Sequence, residues 1–326
     1  MSGRAEQETA AVYRQFAAEE AAGRSELYVR LGRGVADDPA VLSFLAGLPA
    51  EKRQPQLLLA AVRYLAGIPA SYAGLRAVVL SRGAELAAVM RARRVQTNEP
   101  ARCATLLPAL AALPQPLALL EVGASAGLCL QPDRYGYDYG TRRIAGQPGA
   151  PVLSCRCLGP VPLPDRPVQV AWRAGIDLNP LDVTDPDDVR WLSCLVWPGE
   201  GDRAGRLAAA IEVARRDPPR VVRGGLVDRL AATAAGAPAG ATLVVFHSSV
   251  LAYVSPAWRR EFAQAVTGLG AVWLAQESPD VMASVPGFPP DLPAQPPGGM
   301  AYVLTRDGRD PLAYADGHGT WLSWAR

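Results

Sequence analysis

The sequence has almost no lysine and very little histidine, and both shortages exclude chemistry. Lys52 is the only lysine among 326 residues. We therefore expect neither a lysine Schiff base nor a phosphate loop that depends on lysine. There are two histidines and five cysteines, and the pair Cys155 and Cys157 has no second pair to complete a ligand set. The sequence therefore predicts no metal site.

The chain also lacks a dominant charge and a long apolar run. Its 33 basic and 31 acidic residues leave a formal net charge of +2, so no strong field attracts nucleic acid or an anionic membrane. Charges or prolines interrupt every apolar stretch before it could span a bilayer. An odd number of cysteines without a secretory signal predicts a reduced, cytoplasmic location. We expect a small-molecule partner, and a homo- or hetero-oligomer stays open.

Apolar spacing divides the chain near residue 100. Residues 1–100 have helical spacing in the segments 6–20, 41–48, 55–65 and 75–92, which predicts a helical N-terminal domain. Residues 101–326 alternate strand-like runs with segments of helical spacing. The expected strands are 117–122, 168–176, 220–222, 242–246 and 271–275, and the expected helices include 203–216 and 258–266. This alternation predicts a doubly wound, mostly parallel Rossmann-like α/β sheet.

Two further segments interrupt or close this sheet. Alternating aromatic and polar residues at 133–140, followed by a second stretch around 152–158, predict a hairpin inserted at 133–160. Segments 300–304 and 320–324 predict two antiparallel strands at the C-terminal end.

The most informative feature is a glycine turn directly after the run 117–122. Gly123 and Gly127 remove side chains that would keep a ligand from the backbone, and a helix beginning after the turn would point N–H groups at that ligand. Residues Glu121 to Gly127 resemble the first loop of S-adenosylmethionine-dependent methyltransferases, with Ser125 where that family usually has its middle glycine. The same residues spell G-x-S-x-G, which resembles the nucleophile elbow of α/β-hydrolases.

Six blocks of sequence, in the same order, resemble the bacterial DUF2332 family over nearly the whole length. The blocks are residues 96–99, 106–108, 121–127, 133–135, 175–180 and 246–253. The resemblance implies a methyltransferase-like fold, which also ends in antiparallel strands, and no specific activity. The chain departs from the family pattern at Cys129, where Asn is usual, and at Gly225, where Asp is usual. Gly225 removes a carboxylate from the end of the third strand, where methyltransferases often hold the adenine amino group.

The methyltransferase resemblance implies a cofactor-binding role for the residues around the turn. Gly123, Ser125 and Gly127 would line the methionine part of S-adenosylmethionine, and Glu121 would hold amide or ammonium groups. Asp177 is expected at the end of the second strand, where its carboxylate would accept hydrogen bonds from ribose hydroxyls. A helix or turn cap is the alternative role of Asp177.

His247 is the strongest catalytic candidate. It directly follows the run 242–246, at the expected tip of a central strand, and an imidazole titrates near neutral pH. With Ser248 and Tyr253 nearby in sequence, it is expected to accept a substrate proton. A core histidine with both nitrogens satisfied is the alternative.

Two sets of polar residues are candidates for binding the substrate. One set forms a polar cluster before the first helix of the sheet domain and contains Gln96, Asn98, Glu99 and Arg102. Helix capping by Asn98 is a rival interpretation of this cluster. The other set is Arg134 and Arg173, which could pair either with an anionic substrate or with carboxylates of the protein.

The preferred function is transfer of a methyl group from S-adenosylmethionine to a small molecule. One alternative is elimination or cyclisation of an anionic metabolite on the same fold, and another is a ligand-binding regulatory protein without turnover. A third is a serine hydrolase using Ser125, Asp228 and His318. Against the hydrolase, a helical half precedes the turn and the sequence has no His-Gly-Gly run.

Overall fold

The computed structural model describes residues 2–96, 98–292, 294–295 and 301–325. The chain forms two compact units. The first contains the described residues of Met1–Thr97 together with Asp185–Gly205, and the second contains those of Asn98–Thr184 and Arg206–Arg326. Among the described residues, all strands lie in the second unit.

The helices are α1 (Ser2–Gln15), α2 (Glu26–Ala36), α3 (Pro39–Ala46), α4 (Pro55–Ala66), α5 (Tyr72–Ser81), α6 (Gly83–Ala92), α7 (Arg102–Ala111), α8 (Pro186–Leu195), α9 (Gly201–Arg216), α10 (Leu226–Ala234), α11 (Pro256–Gly268) and α12 (Pro279–Met282). The strands are β1 (Leu117–Val122), β2 (Gly136–Asp138), β3 (Arg143–Ile144), β4 (Val152–Ser154), β5 (Arg156–Cys157), β6 (Val170–Asp177), β7 (Arg220–Arg223), β8 (Thr242–Ser248), β9 (Val272–Glu277), β10 (Tyr302–Arg306), β11 (Asp310–Ala315) and β12 (Trp321–Trp324).

Helix α8 belongs to the first unit although residues 93–185 separate it in sequence from α6. The ring of Trp191 is fully buried and lies 5.9 Å from that of Tyr64, and its indole N–H donates to the carbonyl of Arg94. Arg93 pairs with both Asp187 and Asp188 at the start of α8. Aromatic packing and ion pairing therefore make α8 part of this helical unit.

The second unit contains a large mixed sheet in the order β5-β12-β11-β10-β9-β8-β1-β6-β7. Strands β7, β6, β1, β8 and β9 are parallel to one another, and among these five strands their order across the sheet is third, second, first, fourth and fifth in sequence. This is the Rossmann-like order, which reverses direction at β1. The prediction of an α/β class with a mostly parallel central sheet and antiparallel C-terminal strands is confirmed.

The structure differs from the sequence-based expectation at two places, after β1 and among the C-terminal strands. The turn after β1 leads into a 3-10 helix of three residues, Leu128–Leu130, so the expected helix is absent and that prediction was wrong. A small sheet with the order β3-β2-β4 follows instead. At the C-terminal end there are three antiparallel strands, because Asp307 and Gly308, both with positive φ, turn the chain into β11.

The two faces of the large sheet have different surroundings. On one face, Val122, Val245 and Trp273 pack in a buried apolar cluster with Leu230 of α10 and Phe262 of α11. Side chains alternate along a strand, so Glu121 lies on the opposite face, together with Phe246 in its neighbouring strand. Helix α7 covers that second face. No described helix is long and apolar enough to cross a membrane.

Candidate functional site

The glycine turn lies at the carboxyl end of β1, where the strand order of the sheet reverses. Gly123, Ser125 and Gly127 have φ values of 72°, 51° and 70°, so the backbone of the turn repeatedly enters the left-handed region. A side chain at Gly123 would overlap Val250, which follows β8. Ligands of open α/β sheets bind at such a point of reversal. The turn therefore lies at the reversal of strand order, and a ligand at this position stays a prediction.

Two side chains hold the backbone of this turn in place. The Asn98 amide donates to the Ala124 carbonyl at 3.2 Å and accepts from the Leu128 N–H at 3.0 Å. Asp177 accepts from the N–H groups of Ser125 at 2.8 Å and Asn179 at 2.7 Å. Both residues are buried, so these bonds are shielded from water. Asn98 and Asp177 therefore fix the conformation of the turn.

As a result, the turn has few N–H groups to offer a ligand. Within the protein, five of its N–H groups donate hydrogen bonds, those of Gly123, Ala124, Ser125, Gly127 and Leu128. An anion-binding loop needs such groups pointing at the anion, usually from the first turn of a helix. The turn does not have the arrangement of a phosphate cradle.

Glu121 is the most unusual group at this edge of the sheet. Its side chain is buried, and Oε2 has no hydrogen-bond partner among the described residues. Burial raises the pKa of Glu121 well above its ordinary value, and nearby Cys129 and Asp177 raise it further, while Arg102 lowers it. A buried polar atom without a partner needs a specific explanation, and a role in binding a ligand is one.

Ser125 also carries an unpartnered buried oxygen. Its N–H and carbonyl groups are bonded to Asp177 and Leu181, whereas Oγ has no partner among the described residues. A nucleophilic serine requires a hydrogen-bonded base. Asp228, the acid of the hydrolase hypothesis, lies beyond β7 at the start of α10, two strands from β1. The geometry therefore gives the serine-hydrolase alternative no support.

Three side chains with hydrogen-bond donors, from α7, β8 and β9, lie on the same face of the sheet as Glu121. Arg102 donates through Nη1 to the carbonyl of Ser248 at 3.0 Å and through Nε to the carbonyl of Gly317 at 2.9 Å. Ser248 pairs in register with Gln276, whose amide oxygen accepts from Thr105 at 2.6 Å. The Oγ atom of Ser248 and the Nε2 atom of Gln276 have no partners among the described residues.

His247 lies on the other face of the sheet, in the apolar core. Its ring is fully buried, Nδ1 lies 2.7 Å from Glu277 Oε1, and Nε2 accepts from the Trp273 indole at 3.0 Å. An indole N–H can only donate, so the proton of a neutral His247 is on Nδ1 and is donated to Glu277. Neither ring nitrogen is placed to accept a substrate proton. The same Glu277 oxygen accepts from the N–H groups of Val250 and Leu251, which fixes the loop after β8.

The remaining candidate residues are spread more widely. Glu99 is buried and bonded to the guanidinium of Arg206 at 2.9 Å. Arg173 makes a bidentate pair with Asp133, and Arg134 pairs with Asp217, so the protein supplies carboxylates to both. Gln96 belongs to the first compact unit, and Tyr253 is 77% exposed in a 3-10 helix after β8.

Gly225, where the family pattern usually has an aspartate, lies next to the carboxylate of Asp228. Gly225 caps α10, and a side chain there would meet the carboxylate of Asp228, one turn further along. Asp228 therefore supplies a carboxylate close to the position where Gly225 lacks one.

Sequence reasoning missed Gln276 and Glu277, the two polar residues that end β9. A signal was present, because both follow the apolar run 271–275 and the ends of parallel strands meet at one edge. The register with β8 decides which face each occupies: Gln276 joins Ser248 on the α7 face, and Glu277 joins His247 in the core.

Comparison with known proteins identifies a family. No curated protein matches the chain, and no solved structure matches it. A family model described as an uncharacterized protein conserved in bacteria, DUF2332, matches residues 10–324. The match covers both compact units and includes the glycine turn, Asp177 and the loop after β8. The chain therefore belongs to the DUF2332 family.

Proposed function

We propose that this protein binds S-adenosylmethionine at the carboxyl end of β1 and transfers its methyl group to a small molecule. The observation that carries the proposal is the buried carboxyl of Glu121, directly before the glycine turn, whose Oε2 atom has no hydrogen-bond partner in the described part of the chain. An ammonium group of the cofactor would supply the missing donor.

The hydrogen bonding of the turn favours a cationic ligand over a phosphate-bearing one. Most N–H groups of the turn donate to the protein itself, while Glu121 Oε2 and Ser125 Oγ have no partner among the residues that the structure describes. S-Adenosylmethionine carries an ammonium and a sulfonium, whereas dinucleotides and ATP require N–H donors for their phosphates. In this proposal Asp177 holds the turn, and any contact with the ribose is additional to that role.

Calorimetry with S-adenosylmethionine and its demethylated product tests the proposal. We expect both to bind, and NAD and ATP not to bind. Glu121→Gln keeps the shape and removes the charge, so it should weaken binding about 10- to 100-fold through loss of a charge-assisted hydrogen bond. Glu212→Gln, on the surface of α9, is the matched control and should bind normally. Equal affinity in wild type and Glu121→Gln would contradict the proposal.

A regulatory protein that binds the cofactor without turnover is the second candidate. It is favoured by His247, whose two ring nitrogens are bonded to Trp273 and Glu277 and leave no base at the predicted position. Cofactor labelled in its methyl group distinguishes the two functions, since only the enzyme transfers the label to an acceptor. For elimination or cyclisation, the anion-binding role expected of Arg173 and Arg134 is unsupported, because Asp133 and Asp217 pair with them.

A further inference from the structure

Arg102 is a buried cation without a carboxylate partner. Arg102 is the first residue of α7 and is 7% exposed. The guanidinium donates to two backbone carbonyls through Nε and Nη1, and Nη2 donates to none of the described residues. Among those residues it also forms no ion pair. An unpaired charge in a dry environment is costly, so a buried arginine normally has an anionic partner.

Glu121 does not provide that partner. It is near enough to Arg102 for each to influence the other, yet the two side chains form no salt bridge. Burial raises the pKa of the Glu121 carboxyl well above its ordinary range, which favours the neutral form where no cationic group is bonded to it. The positive charge of Arg102 therefore lacks a full counter-charge.

Two unsatisfied groups lie beside Arg102. The carbonyl of Ser248 accepts from Arg102, and the Ser248 hydroxyl has no partner within the described part of the chain. Gln276, its register partner in β9, is fully buried and has an unpartnered amide nitrogen, while its amide oxygen is held by Thr105 one turn along α7 from Arg102. A guanidinium, a hydroxyl and an amide N–H₂ group together can donate to both oxygens of a carboxylate.

We propose that Arg102, Ser248 and Gln276 form a binding subsite for an organic carboxylate. The subsite lies on the same face of the sheet as the buried carboxyl of Glu121, so the site has an anion-binding side and a cation-binding side. The carboxylate could be that of the cofactor's amino-acid end or that of the second substrate. The choice between these two carboxylates rests on the proposed function. The subsite itself rests only on the three side chains.

Acetate is the smallest probe of this subsite, and acetamide is its neutral counterpart. Titration of the 326-residue chain, at constant ionic strength with chloride as the balancing ion, should shift the NMR signal of the Arg102 Nε–H group saturably with acetate and not with acetamide. Ser248→Ala removes only the hydroxyl and should weaken acetate binding about tenfold. Ser154→Ala, which removes an exposed hydroxyl in β4, should leave the affinity unchanged.

Two results would overturn the subsite. One is an Arg102 signal that does not respond to acetate at high millimolar concentration. The other is an unchanged acetate affinity in Ser248→Ala. Neither result requires an Arg102→Gln variant. Such a variant would lose the two hydrogen bonds from Arg102 to backbone carbonyls and could fail to fold for that reason alone.

Competition identifies the source of the carboxylate. If S-adenosylmethionine displaces acetate and its decarboxylated form does not, the subsite holds the cofactor's own carboxylate. If acetate binds alongside S-adenosylmethionine, it holds the second substrate, which is then a small organic acid. If S-adenosylmethionine does not bind at all, the proposed function fails, while a saturable acetate response still supports the subsite.

Discussion

At the scale of single residues, the protonation state of Glu121 depends on its burial in the folded protein. The group lies among Cys129, Asp177 and Arg102, and burial is the largest cause of its raised pKa. A carboxyl whose pKa is higher in the folded than in the unfolded state binds its proton more tightly when folded. Its contribution to stability is therefore fully present below the unfolded pKa and is lost as pH rises through the folded pKa.

This sign gives a testable pH dependence. Between the ordinary value near 4.5 and the raised folded pKa, the wild-type protein without ligand should lose stability relative to Glu121→Gln as pH rises. Each pKa unit of the shift corresponds to about 1.4 kcal/mol. Denaturant unfolding of both proteins across this range measures the difference. A difference that stays constant with pH would show that Glu121 titrates normally.

His247 is expected to act on stability rather than on ligand binding. His247→Ala removes a fully buried ring and leaves Glu277 and the Trp273 indole without a partner, so it should destabilise the protein by about 3 kcal/mol or more. Calorimetric binding of S-adenosylmethionine below the melting temperature should change little. A large loss of turnover with normal stability would instead support the general-base role that the sequence suggested.

At the scale of elements, side chains from other parts of the chain fix the conformation of the turn after β1. Asn98 precedes α7 and Asp177 ends β6, yet both bond to the backbone between Ala124 and Leu128. The connection from β1 to β6 contains no α-helix, so no helix N-terminus stabilises the turn. The two side chains perform that stabilising role.

Asn98→Ala tests this arrangement. It leaves the Leu128 N–H and the Ala124 carbonyl without their partner in a buried environment, which should cost about 2 kcal/mol or more. Asn98→Asp should not rescue the loss, because a carboxylate oxygen cannot donate to the Ala124 carbonyl. Gln264→Ala, an exposed amide on α11, is the control for thermal unfolding. Wild-type stability in Asn98→Ala would show that water replaces the bonds.

At the scale of the whole molecule, the helical unit is discontinuous in sequence. Trp191 and Leu192 of α8 are buried within it, and Arg93 pairs with the start of the same helix. Residues 1–100 alone therefore lack part of their own core. We expect that fragment to melt without cooperativity in circular dichroism, and a linked fusion of residues 1–97 with 185–205 to regain a cooperative transition. A cooperative melt of the short fragment would contradict this account.

Periodic patterns predicted much of the fold. The bounds of β1 were predicted to the residue, and β6, β7, β8 and β9 were predicted within two residues at each end, because buried parallel strands are continuous apolar runs. The break between α5 and α6 at Arg82 was missed, since the apolar spacing continues through it. β11 was also missed, because its short segment contains a proline.

The sequence by itself determined the α/β class, the position of the glycine turn and the placement of Glu121 and Asp177 at strand ends, because these depend on local spacing and on glycine. Only the tertiary structure decided what each polar side chain contacts. Register put His247 in the core with Glu277 and put Gln276 beside Ser248. The fold brings Asp133 to Arg173 as an ion-pair partner, while no described carboxylate forms an ion pair with Arg102. Contacts between distant segments depend on the folded arrangement and not on any local pattern.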